Sequence, residues 1–240
     1  LTKSQGVIIL IVFDEHNHTP RHVTSQHGTA QHDNNRSIQM ALSVITVTCT
    51  IEGISPLCQS RYHDEPKLEG ETGEAYDIRT WRSHLHVKNG TVHIPQKALH
   101  DGLTEAAKYS KRQIPGQGKA TWTQKFASGI AILEDIDLTI DPATVVAVPV
   151  YCHSDGKRGS GSRVIRRFPI MPKWGATFDV TILDPIIHED IFTEMLEQAG
   201  MYIGVGQNRP QNRGVHGRFR VVDIQWKGEQ QPDLRRRRAA

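Results

Sequence analysis

HEDIFTEMLEQAGMYIGVGQNRPQNRGVHGRFRVVDIQW, His188–Trp226, holds a helix, a loop and a strand in immediate succession. HEDIFTEMLEQAG (188–200) has amphipathic spacing, acids in its first turn that suit a helix N-terminus, and Gly200 as its expected C-cap. RFRVVDIQW (218–226) has the residue pattern of a strand. Between them lie four glycines, Gly204, Gly206, Gly214 and Gly217, with Arg209 and Arg213 inside the bracket and Arg218 and Arg220 just beyond it. No acid occurs from Met201 to Val222. Glycine permits positive φ and close backbone approach, and successive bare N–H groups form anion-binding concavities. The loop therefore reads as a surface for a nucleic-acid backbone, with a helix-to-strand turn bearing solvated arginines as the competing reading.

Upstream, SVITVTCTIEG (43–53) alternates Val, Ile and Thr and predicts a strand. Residues 54–80 form an acidic, loop-rich insertion. WRSHLHVKNGTVHIP (81–95) carries Asn89-Gly90 between two alternating runs, which predicts a hairpin. QKALHDGLTEAAKYSKR (96–112) has helical spacing after Pro95. FASGIAILEDIDLTI (126–140) reads as a strand or hairpin arm. TVVAVPVYCH (144–153) and RVIRRFPIMPKW (163–174) form a long hairpin around the basic tip SDGKRGSGS, and TFDVTIL (177–183) is a further strand.

Stripped of insertions, this is a ferredoxin-like (RRM-type) βαββαβ plan of the α+β class. Its antiparallel sheet has helices on one face, plus a long basic hairpin insertion. Residues 40–228 make the domain. Residues 1–39 form a polar His-rich leader and 229–240 a basic tail, both read as disordered. Met40 is a candidate start of the ordered chain.

A hydrophobic content of 37%, with 23% charged residues, indicates a soluble globular protein. The net charge of +3 is small, but it is unevenly distributed. From Tyr151 to Phe178, Lys157, Arg158, Arg163, Arg166, Arg167 and Lys173 face the single acid Asp155, whereas acids gather at 64–77 and 133–141. Such segregation suits a nucleic-acid binder, against the plainer reading of a solvated basic surface. Cys49, Cys58 and Cys152 form no CxxC pair, which argues against a disulfide framework or zinc site and points to a reducing, cytoplasmic setting. GVIILIVF is too short to span a bilayer.

The spacing G-x-G, seven residues, G-x-x-G after a second helix resembles the glycine-rich loop of the RAMP superfamily of CRISPR-associated proteins. TVHIPQKALHDGLTEAAKY resembles the strand-to-helix junction of its Cas-seven-type backbone subunits, with Lys97 in the basic place and Pro95-Gln96 where serines are usual. The hairpin at 144–174 resembles their protruding thumb. The resemblance implies binding of single-stranded RNA of the CRISPR-RNA type without catalysis, in a ribonucleoprotein with copies of itself or other subunits. A phage or mobile-element relative on the same scaffold is the variant of this reading.

The nucleic-acid-binding candidates are Gly204, Gly206, Arg209, Arg213, Gly214, Gly217 and Arg218 in the loop, Lys157, Arg158, Arg163, Arg166 and Arg167 in the hairpin, and Lys97. Trp81 with Arg82, Trp174 and Tyr202 are candidates for base stacking. Single-stranded DNA is the alternative ligand. A metal-independent ribonuclease is the alternative activity, with His84, His86 and His93 as candidates, the first two expected on one strand face. A phage structural or assembly protein is a third reading; self-association, with acids at 64–77 of one copy facing the basic hairpin of the next, would fit this reading and the binding one alike. Asp135, Asp137 and Asp141 lack the glycine and terminal glutamate of a calcium loop. No metal or cofactor is expected.

Overall fold

The first long strand, β1 (Ile45–Gly53), shows how alternation becomes architecture. Val47, Cys49 and Ile51 are buried on one face, while Thr46, Thr48 and Thr50 point to the other. β1 lies between β9 (Gly175–Ile182) and β10 (Phe219–Lys227), antiparallel to both, and β9 also pairs with the short β5 (Ile130–Ala131). The sheet order is β10-β1-β9-β5. Register sets Val47 opposite Val180 and Trp226, and Cys49 opposite Phe178 and Ile224, so one face is apolar throughout. A bulge after Thr50 leaves Val222 exposed without flipping the rest of β10. On the outer face Thr48 donates to Asp179 at 2.5 Å, and the Thr50 and Thr177 hydroxyls lie 3.0 Å apart.

Two helices cover the apolar face. α2 (Gln96–Ser110) buries Leu99, Leu103, Ala106 and Ala107, and α4 (Glu189–Gln198) buries Ile191, Phe192, Met195 and Leu196. Both sets recur at three- and four-residue spacing and join the sheet's inner side chains in one cluster. Fully burying a side chain such as Phe192 stabilises by roughly 1.5–3 kcal/mol.

Two smaller antiparallel sheets flank this core. β2 (Leu57–Cys58) pairs with β8 (Arg163–Met171), which pairs with β7 (Val146–His153) along the long hairpin. β3 (Val87–Lys88) pairs with β4 (Thr91–Ile94), which pairs with β6 (Ile136–Ile140). Asn89 (φ 53°) and Gly90 (φ 84°) turn the expected hairpin with two left-handed residues. The acidic insertion contains α1 (Gly73–Thr80), whose Thr72 cap accepts from Ala75 N at 3.1 Å.

This computed structural model describes residues 44–153 and 162–227, all within the compact unit Leu42–Ala240. The leader at 1–39, the hairpin tip with Lys157 and Arg158, and the tail at 229–240 lie outside the described residues. The fold is thus mixed α and β, with antiparallel sheets. Three local expectations change. Residues 81–84 form a 3-10 turn rather than a strand arm. The 126–140 stretch is divided among the end of α3 (Thr123–Ser128), β5 and β6, and Gly129, between α3 and β5, sits where a Cβ would strike Lys125 O and Asp184. Gly200 does not cap α4; the chain continues as a π turn, Ala199–Ile203, and ends at Gly204 with φ 70°. Gly200 instead abuts Phe219, where a Cβ would overlap the backbone oxygen and approach the ring at 2.9 Å.

Candidate nucleic-acid interface

The glycine loop is tightly folded on itself and on β2. Gly204, Gly206 and Gly217 all have positive φ. A Cβ on Gly206 would strike Cys58 O and Leu57, one on Gly214 would strike Asn208, and one on Gly217 would strike Val205 O. Several loop amides are engaged internally: Val205 with Gly217 O, Gln207 with Cys58 O, Gly214 with Arg209 O, and Gly217 with Pro56 O. The concavity expected of successive bare amides is therefore largely closed. Among the described residues, the Gly206, Asn208, Arg209, Gln211 and Val215 amides make no backbone hydrogen bond.

The loop arginines differ in what holds them. Arg209 reaches a cleft of ≈ 210 Å³ lined by Gln59, Ser60, His86, Pro95, Gly206 and Gln207, among others. Its Nε is buried and takes no hydrogen bond among the described residues. Arg213 is exposed with φ 60°. Arg218 donates Nε to Met201 O at 3.1 Å, and Arg220 is paired with Glu52. Lys97, at the start of α2, is ion-paired with Asp101 at 2.7 Å.

The hairpin arginines lean on the insertion of their own chain. Arg166 pairs with buried Asp77 at 3.1 Å, and Arg167 lies 4.0 Å from Glu74. Arg163 covers the Tyr151 ring at 5.6 Å. The acids at 74 and 77 thus meet the hairpin within one molecule. Charge segregation along the sequence is partly undone in space.

The stacking candidates separate in the same way. Trp174 is buried and donates to Ser55 O at 2.8 Å, so it belongs to the core. Trp81 is half-buried beneath the Arg82 guanidinium, 4.3 Å away. Tyr202 is exposed and stacks with exposed Tyr109 of α2, their centroids 5.5 Å apart.

His84 and His86 do not share a strand face. His84 lies in the 3-10 turn and packs edge-on to His63 at 4.6 Å. His86 and His93 form a separate pair, 5.7 Å apart. His93 Nε2 lies 3.7 Å from Asp135 Oδ2, and Asp135 also accepts from the Gln96 amide and from Lys88. Burial holds both imidazoles below their ordinary pKa, the His93 effect being opposed by Asp135. The Gln96 amide and then Lys88 hold Asp135 below the ordinary carboxylate value despite desolvation. Buried Gln59 fixes this hairpin, accepting from His86 N at 2.9 Å and donating to His93 O at 2.8 Å.

Gln59, Ser60, the Asp135 contact and Tyr109 escaped the sequence reading. Only the period of α2 bears on Tyr109, since it sets Tyr109 outside the buried Leu99/Leu103/Ala106 stripe. The place of Asp135 beside His93 depends on the β4–β6 pairing. Among the described residues no three His, Cys, Asp or Glu side chains gather as a metal site, and no helix is long and apolar enough to cross a membrane.

No protein-family model matches the chain, and no curated protein matches it in sequence. Solved structures do. One is the cryo-EM structure of the Type III-B Cmr-beta bound to cognate target RNA, 14% identical with a TM-score of 0.44; the match covers 78% of this chain and 62% of that one. This chain thus spans under two thirds of the Cmr-beta chain. Another is the crystal structure of Cmr6 from Pyrococcus furiosus, also 14% identical with a TM-score of 0.44, covering 75% of this chain and 100% of that one.

Proposed function

We propose that this chain binds single-stranded nucleic acid, RNA before DNA, along its backbone through the glycine loop and the basic hairpin, without cleaving it. The observation that carries this reading is Arg209. A guanidinium is always charged, and a buried donor without a partner is costly. A phosphate in the cleft would face the Arg209 guanidinium, with the Gly206 amide, the Ser60 hydroxyl and His86 around it. The strand order β10-β1-β9-β5, with α2 and α4 on one face, supports a ferredoxin-like core within this reading. Work within a CRISPR-type ribonucleoprotein, beside copies of itself or other subunits, belongs to the same proposal.

The test is Gly206→Asp combined with Arg209→Ala and Arg213→Ala. The triple variant should lose affinity for a single-stranded RNA. Wild-type binding should fall with salt at a log–log slope of about 0.7 per phosphate contacted. A folded triple variant that binds as tightly as wild type overturns the site. Nucleic-acid-free protein from a low-salt preparation favours the assembly-protein reading.

The His86–His93–Asp135 arrangement supports a second reading, metal-independent ribonuclease action. A neutral His86 would take the 2′-OH proton, the 2′-oxygen would attack the adjacent phosphorus, and the 5′-oxygen would leave with a proton from water. Cleavage of labelled RNA in chelator, abolished by His86→Ala, would establish it; intact RNA rejects it.

A further inference from the structure

Tyr109 and Tyr202 come from distant parts of the chain, yet their rings stack 28° from parallel while remaining 61% and 54% exposed. Resting on the backbone-binding reading above, we propose that this pair is a second subsite that stacks nucleobases of the strand held by the glycine loop.

Three observations carry it. First, the local charge is positive. Arg218 is hydrogen-bonded to Met201 O, beside Tyr202 in the chain, and Lys111 closes α2 two residues beyond Tyr109, exposed in a left-handed conformation. Exposed aromatics next to cations suit bases joined by phosphates. Second, the patch is continuous with the proposed cradle. The glycine loop is tied to α2 by Gln211 donating to Glu105 at 2.9 Å, one helical turn before Tyr109. Third, α2 measures the path. Ala98 lines the Arg209 cleft and Tyr109 lies eleven residues on, which is about 16 Å at 1.5 Å per residue. A stacked single strand covers that in about five nucleotides at roughly 3.4 Å each. Two rings and the neighbouring Met201 are far smaller than the roughly 800 Å² per partner of a stable protein interface.

The test measures binding of a ten-nucleotide oligouridylate to wild type, Tyr109→Ala/Tyr202→Ala, Tyr109→Phe/Tyr202→Phe, and the glycine-loop triple variant, with Tyr62→Ala as an exposed control (85%). The double alanine variant should keep its melting temperature and bind about ten-fold more weakly. The double phenylalanine variant should bind like wild type, because stacking needs the ring and not the hydroxyl. Photocrosslinking of 4-thiouridine RNA should yield peptides containing Tyr109 or Tyr202. Loss of binding in the glycine-loop variant with none in the double alanine variant overturns this subsite and leaves the backbone site standing. Unchanged binding in both overturns the functional reading as well. A change of oligomeric state without a change of RNA affinity assigns the pair to a protein partner instead.

Discussion

The glycine loop and the β7–β8 hairpin are both basic in sequence, but their charges are held differently. In the loop, the backbone is fixed by its own hydrogen bonds and by glycines that admit no Cβ, while Arg209 and Arg213 have no ion-pair partner among the described residues. In the hairpin, Arg166 and Arg167 are balanced by Asp77 and Glu74 of α1. Positive charge in a sequence is thus not the same as charge available to a ligand. A rigid loop with uncommitted cations is prepared for an anion, whereas the paired hairpin must first give up its acids.

The largest expected effect tests the rigidity side. Gly217→Ala forces a side chain into φ 74° and onto Val205 O. It should cost about 2–4 kcal/mol of stability, read from urea unfolding. Next, Arg209→Ala should weaken RNA binding by about 1.5–3 kcal/mol, the worth of a charged hydrogen bond. Arg166→Ala should weaken it by much less; equal losses would erase the contrast. A smaller effect of opposite sign is expected from Asp77→Asn. Freeing Arg166 should tighten RNA binding two- to five-fold, about 0.5–1 kcal/mol.

The last prediction concerns pH. Burial holds His86 and His93 below the ordinary imidazole value, so the unfolded chain takes up protons at higher pH than the folded one. Stability should be full above about pH 6.5 and fall as acid brings the pH down through the folded-state values. A His86→Gln/His93→Gln variant should flatten that fall in urea midpoints between pH 7.5 and 5.5.

Local rules made much of this legible. Alternation in ITVTCTIEG placed β1, Asn89-Gly90 placed its hairpin, and the glycine spacing placed the loop. The misreadings arose where distant contacts decide. His84 and His86 are two apart in sequence, but His84 closes a 3-10 turn and His86 lies in the link just before β3, so no strand alternation relates them. Gly200 looked like a helix stop, yet it is small because Phe219 needs the space. Asp135 joins His93 only through the β4–β6 pairing, and Tyr109 joins Tyr202 across 93 residues. No periodicity encodes such meetings. They follow from packing.

The edges of the four-stranded sheet carry one more consequence. β5 offers two residues of edge, and β10 lines its side with exposed Arg220, Asp223 and Lys227. Short or charged edges resist the addition of another strand. The four-stranded sheet is thus guarded at both edges against widening by backbone pairing.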